Sequence, residues 1–247
     1  MLLAFAVVFL VITFLFSLPG LFFSSNVQTF STLKDTFGAL NWLLVVFSAG
    51  LGLFIVSSHL HARSLKMVFT KPCPPTVWLA SAFLAAVLAS LMINSVIWMT
   101  AVTASLIFHL HVVAGLLYMS LETFAASVGM IAYLMFLATV IHPVIAAVFV
   151  LIFNSTTFYD LLMWTEGAIQ GGSKSVALRI LKDIFYFFYM VLPMSHPFAK
   201  HSDPIRASLR VGPAEWPYVL YSLGYALALS ALCYCLSLFF LQKKRLI

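Results

Sequence analysis

Charge is what this sequence has least of. Of its 247 residues only 8% are Asp, Glu, Lys or Arg, and seven are acidic, whereas a soluble domain carries about one charged residue in four. So few charges cannot clothe a water-soluble fold of this length, and that class is excluded. Cysteine is scarce as well. The three are Cys73, Cys233 and Cys235, and the last pair, two apart in an apolar helix, points to roughly opposite faces. Neither a disulfide framework nor a zinc site is indicated. Long polar tracts are also missing, which leaves no room for a separate soluble catalytic domain. The net charge of +6 is spread over short loops and the C-terminal tail without an extended basic face, so no nucleic-acid partner is implied.

What the chain has is apolar length. Hydrophobic residues make up 63% of it, and runs of the roughly 20 apolar residues needed to cross a bilayer recur from end to end. The expected fold is an all-α integral membrane protein, one domain over residues 1–247, with six spans at about 2–23, 40–58, 77–107, 114–138, 143–160 and 218–241. Residues 1–16 are apolar without a break and no cationic segment precedes them, so they are read as part of a retained span rather than a signal peptide. Polar residues 24–35 form the first loop, 62–76 a second, and 161–217 a longer connection. Turns within the tract 77–158 are placed near 109–113 and 139–143, because proline disfavours helix in the residue before it and the histidine pair breaks the run.

An even number of spans puts both termini on one side, together with Arg63, Lys66, Lys71, Lys243, Lys244 and Arg245. The positive-inside tendency assigns that side to the cytoplasm. The other side carries Lys34, Lys174, Arg179, Lys182, Lys200, Arg206 and Arg210, mostly on the long connection, where charge has little influence on orientation.

Residues 61–78 read HARSLKMVFTKPCPPTVW. In helical form Arg63, Lys66 and Thr70 share one face and Leu65, Val68 and Phe69 the other, an amphipathic spacing suited to lying at a membrane surface. Pro72, Pro74 and Pro75 then end the helix, and Trp78 anchors the next span at the interface. The general alternative is a basic loop that only fixes topology.

Span two followed by RSLKMVFTKPCPPTVWLASAFLAAVL (63–88) resembles the cytoplasmic coupling region of type-2 ABC exporter permeases, with Lys71-Pro72 as the lysine-proline pair. DIFYFFYMVLPMSHPFAK (183–200) and then YVLYSLGYALALSALCYCLSLFFLQKKRLI (218–247) are similar to that family's last loop, final span and basic end. The resemblance covers most of the chain from about residue 40. It departs from the family where the chain enters the membrane almost at Met1, and where His59 and His61 stand in place of an acidic residue.

The resemblance implies a six-helix permease in the plasma (inner) membrane of a bacterium, both termini cytoplasmic, working with a second permease copy or a homologous permease. Cytoplasmic ABC ATPase subunits would grip a coupling helix through Arg63, Leu65, Lys66, Val68, Phe69, Lys71 and Pro72. ATP and Mg would belong to those partners, with no cofactor in this chain and no catalysis of its own. A membrane-embedded metal or cofactor protein using the histidines and Glu122, and a scaffold subunit that does not transport, are the alternatives.

Several patterns carry less than they promise. Residues 167–175, GAIQGGSKS, nearly spell a phosphate-binding loop, but an extra serine displaces the lysine and no strand precedes them. His59/His61 and His109/His111 are each two apart, so neither pair ligates one ion from a regular helix. His142 before Pro143 reads as a turn residue. Small residues at four-residue spacing (Ser81, Ala85, Ala89; Ala82, Ala86, Ser90; Ser222, Ala226, Ser230) let helix backbones approach closely, as in ordinary bundle packing.

Glu122 is the one acid in the interior of a predicted span, Asp160 standing at the last position of another. Burial at mid-membrane costs about 2.5–3.5 kcal/mol on insertion scales, so it should line a pathway or gate, unless it sits near a helix end. Ser173 is expected to cap a helix running to Leu192, with Arg179, Lys182, Asp183 and Tyr186 as its polar stripe, too short to cross and either resting along the outer interface or re-entering it.

Overall fold

A computed structural model describes residues 26–60, 75–152, 155–171, 176–191, 205 and 207–245. They form seven helices: α1 (Asn26–Leu60), α2 (Pro75–Ile107), α3 (Val113–Val140), α4 (Pro143–Ile152), α5 (Ser155–Gln170), α6 (Val176–Val191) and α7 (Trp216–Arg245). Four contain stretches long and apolar enough to cross a membrane: Phe30–Ile55, Thr76–Ile107, Val113–Val140 and Trp216–Lys243. The described residues hold helices and no strand, and the protein is a multi-pass, membrane-embedded chain. The predicted span at 2–23 lies outside the described residues.

α3 is the axis of the bundle. In its span window 61% of residues are buried, against 22–33% in the other three, because α1, α2 and α7 all pack around it. Leu33, Phe37, Leu40 and Leu44 of α1 meet Ile93, Ile97, Ala101 and Ala104 of α2 and Leu116 and Met119 of α3 in one core. A second core joins Leu79, Ala82 and Ala86 of α2 to Ile131, Met135 and Ala138 of α3 and Leu241 of α7. The outward faces stay apolar, with Met92, Met99, Leu220, Leu227 and Phe239 exposed, as suits helices whose surroundings are hydrocarbon. Within the seams small residues bring backbones close: Ala82, Ala86, Ser90, Ser222, Ala226 and Ser230 are buried, while Ser81 and Ala85 face outward.

Pair contacts fix the directions of the helices. Ser48 and Ser90 hydroxyls are 2.8 Å apart and Leu33 shares its core with Ala104, so α1 and α2 are antiparallel. Tyr118 meets Trp216 and Phe136 meets Phe240, with ring centroids 6.0 and 6.1 Å apart, so α3 and α7 run parallel. A Cβ on Gly52 would stand 3.5 Å from Ile131 Cα, near the C-terminal side of both α1 and α3, and α1 therefore shares their direction. Tyr234 Oη donates to the carbonyl of Thr76 at 2.9 Å. The C-terminal ends of α1, α3 and α7 thus gather with the start of α2 at one end of the bundle.

The α2–α3 turn is a left-handed helix stop. Leu110 N–H donates to Ser105 O at 2.8 Å and His109 N–H to Leu106 O at 3.2 Å, the paired bonds of a Schellman motif, and the Ser105 hydroxyl donates back to Leu110 O. The pivot is His109, whose φ of 52° lies where glycine is usually found.

One expectation requires correction. Residues 24–35 were expected as a loop, yet α1 is helical from Asn26: Phe30, Leu33 and Phe37 continue the apolar stripe into the core, and Ser31 donates to Asp35 at 3.3 Å on the exposed side. Consequently Lys34 and Asp35 also fall within a span stretch, and Glu122 is not the only acid there. Over the expected span 143–160 the described residues form α4, of 10 residues, and the first part of α5, of 16, with 153–154 between them outside the described residues; because α3 and α7 run parallel, the chain must cross the bundle once more between them.

α5 and α6, 16 residues each, are about 24 Å long and too short to cross alone. They fold back on each other through aromatic contacts. Phe158 stacks on Phe188 with centroids 5.0 Å apart, and Tyr159 meets Tyr189 at 5.8 Å. Lys182 bonds Glu166 at 2.9 Å. Burial pushes the Tyr189 phenol above its ordinary value of 10.0, with Tyr159 and Tyr186 adding to the shift. α6 matches the helix expected up to residue 192, and the capping position, Ser173, lies outside the described residues. Toward α7 the chain crosses the opposite end of the bundle, where Ile205 and Leu209 are buried and Leu209 lies against Gly115 of α3.

Candidate functional site within the bundle

Glu122 is buried within the bundle. It lies in the tenth position of the 28-residue α3 and is 4% exposed. Its stripe is set by helical spacing: Tyr118 one turn before and Ala125 nearly one turn after. Tyr118 packs with Val219 and Trp216, and Ala125 with Ala226, so this stripe faces α7. There Ser222, itself buried, occupies the corresponding level. A carboxyl so placed is enclosed by protein rather than lipid, the arrangement an intramembrane acid requires.

Polar groups also gather on the opposite side of α3, and sequence reasoning passed over them. Asn94 of α2 is 4% exposed and its Nδ2 donates to Ser120 O at 3.2 Å. Asn41 of α1 is 5% exposed, and the Ser48–Ser90 bond lies farther along the same seam. Both asparagines fell inside predicted spans, where a carboxamide is costly enough to signal a role. That cue was available in the sequence.

The remaining predicted residues divide clearly. Arg63, Leu65, Lys66, Val68, Phe69, Lys71 and Pro72 lie outside the described residues, as do His61 and Cys73. His109 and His111 are exposed at the α2–α3 turn. His142 precedes α4, its carbonyl accepting from Ala146 N–H at 2.9 Å. Among the described residues no three His, Cys, Asp or Glu side chains come together to hold a metal. Gly167 and Gln170 belong to the last turn of α5, which Gly171 closes by donating to Gly167 O at 2.9 Å. Cys233 is buried and Cys235 exposed, both as free thiols.

A cavity of about 10 Å³, roughly one water in size, lies between Leu79, Phe83, Met135, Ser230 and Tyr234. Ser230 and Ser237 border it with hydroxyls already donated to Ala226 O and Cys233 O. It is too small to be a cargo site. Compared with protein families, with curated proteins and with solved structures, the chain gives no match in any of the three.

Proposed function

We propose that this chain is the transmembrane permease subunit of an ATP-driven exporter of the type-2 ABC class, moved by a separate cytoplasmic nucleotidase and paired with a second permease. The observation that carries the reading is the polarity of the bundle. α1, α3 and α7 run parallel, so α1 ends and α2 begins at the end where α7 finishes in Lys243, Lys244 and Arg245, and the sequence between them, 61–74, holds Arg63, Lys66 and Lys71. The short connection and the tail thus carry six cations toward that end, and since the seven others lie mostly on the long connection, whose charge has little influence on orientation, the positive-inside tendency makes that end cytoplasmic. An ATPase would meet the chain there.

Two further features support the reading. The 16-residue α6, too short to cross, comes before the last span, where the resembling family carries the elements that close its outer gate. Glu122 gives α3, which each of the other three described spans touches, a polar group at depth, suited to a pathway or gate. Rigid-body motion of packed helices is the physical means by which a docked handle at one end opens the other. The metal-handling alternative draws no support from the described residues, which bring no ligand cluster together.

The test is co-purification of this chain with a nucleotide-binding protein from its native membrane. The wild-type chain should retain that protein, and a Leu65→Ala, Lys66→Ala, Phe69→Ala variant should lose it. Retention unchanged by the three substitutions would refute the docking role.

A further inference from the structure

The carboxamides of the α1–α2–α3 seam are incompletely paired. Neither polar atom of the Asn41 carboxamide has a hydrogen-bond partner, and the same holds for Asn94 Oδ1 and the indole Nε1 of Trp98. These groups belong to one place. Asn41 lies seven residues, two helical turns, before Ser48, and Ile97 seven residues after Ser90. Because Ser48 and Ser90 are bonded across antiparallel helices, Asn41 comes level with Ile97, flanked by Asn94 and Trp98. Phe37 and Leu44, which share Asn41's stripe on α1, pack with Ile93 and Ile97 in one core, so that stripe faces α2. Asn94 in turn reaches α3 through Ser120. The level is deep: Asn41 is the twelfth residue of Phe30–Ile55 and Asn94 the nineteenth of Thr76–Ile107.

Unpaired amides are costly away from water, and this set has a definite chemistry. Asn41 Nδ2 and Trp98 Nε1 are donors, and Asn41 Oδ1 and Asn94 Oδ1 acceptors. Reversing the Asn41 amide leaves the balance unchanged. A bare cation would face two N–H groups and an anion two carbonyl oxygens, whereas a hydroxyl offers one donor and accepts at its lone pairs. We propose that α1, α2 and α3 form a binding site for a neutral hydroxyl group near mid-membrane, built from Asn41, Asn94 and Trp98 and taken by water or by the alcohol of an amphiphilic ligand. The site does not depend on the transport reading.

Cysteine accessibility tests it. In a chain carrying Cys73→Ser, Cys233→Ala and Cys235→Ala, the variants Asn41→Cys and Asn94→Cys should lose their free thiol to a small water-soluble methanethiosulfonate. Met92→Cys and Val96→Cys, outward on α2, should not, because a thiol in hydrocarbon remains protonated and unreactive. Protection of Cys at position 41 by a monoacylglycerol, but not by an alkane of equal chain length, assigns the occupant as an amphiphile alcohol, and absence of protection assigns it as water. Should the position 41 variant fail to insert, the one at 94 gives the same reading from the facing helix. The otherwise unaltered chain gives another, since the Trp98 indole N–H, identified by its loss in Trp98→Phe, should exchange with deuterium in resonance Raman spectra. Unreactive thiols at 41 and 94, equal reaction at 92 and 96, or a Trp98 N–H that does not exchange would overturn the site.

Discussion

Replacing Gly115 by alanine should destabilise the protein, reversing the usual effect of that change. In a helix interior Gly→Ala gains about 0.8–1 kcal/mol from backbone entropy and propensity. Gly115 is in the first turn of α3, where Leu209 lies directly against it: a Cβ would overlap the Leu209 carbonyl and stand 2.8 Å from its Cα. Those are backbone atoms, so no rotamer change relieves the clash, and overpacking of this kind costs about 1–3 kcal/mol. If the segment lifts instead, Leu209 and Ile205, 1% and 2% exposed, lose their burial, worth at most about 1.5–3 kcal/mol each. Set against the gain of about 0.8–1 kcal/mol, the net expectation is a loss of up to about 2 kcal/mol, or up to several degrees of Tm at about 2–4 °C per kcal/mol for a chain of this size. Thermal unfolding in detergent measures it, with Gly50→Ala as the control. Gly50 is exposed on α1, with nothing within 4 Å of the place a methyl group would take, and its substitution should hold or raise Tm. A Gly115→Ala protein as stable as the Gly50→Ala protein would refute the reasoning that Leu209 closes this end of the bundle.

Three further outcomes follow from the packing. His109→Gly should stabilise by about 1 kcal/mol, since His109 holds a left-handed φ of 52° that glycine adopts without strain; thermal unfolding reads the gain. A Ser48→Ala/Ser90→Ala double-mutant cycle should give a coupling of about 0.6 kcal/mol and no more than about 1.7 kcal/mol, the range for interhelical bonds in membranes, and a coupling of zero would place the two serines apart. In the α5–α6 hairpin, Phe158→Ala should cost about 3 kcal/mol or more, because Phe158 is buried and stacked on Phe188. Lys182→Ala should cost under about 1 kcal/mol, because both partners of its ion pair are more than a third exposed; limited proteolysis of the hairpin ranks the two.

The spans were legible where apolar runs are bounded abruptly. Pro75 and the turn at His109 frame α2, the latter and Pro143 frame α3, and the predicted limits 77–107 and 114–138 fall within two residues of the helices. The start of α1 was hidden because Thr29, Ser31, Thr32, Lys34 and Asp35 make 24–35 polar on average, although Phe30, Leu33 and Phe37 keep the helical period that drives packing. The α5–α6 pairing was hidden for another reason: Phe158 and Phe188 are thirty residues apart, and no local pattern reports that they stack. Glu122 was readable as a lone acid in an apolar run. The meeting of Asn41, Asn94 and Trp98 was not, because it depends on the register between α1 and α2 that the Ser48–Ser90 bond discloses.

The account stands or falls on which side of the membrane segment 61–74 faces, and the native Cys73 within it reports this directly. In a Cys233→Ala, Cys235→Ala background, a membrane-impermeant maleimide applied to intact cells should leave Cys73 unlabelled and should label it once the membrane is opened. Labelling of Cys73 in intact cells would put the basic segment on the outer face, beyond reach of any cytoplasmic ATPase, and contradict the proposed function.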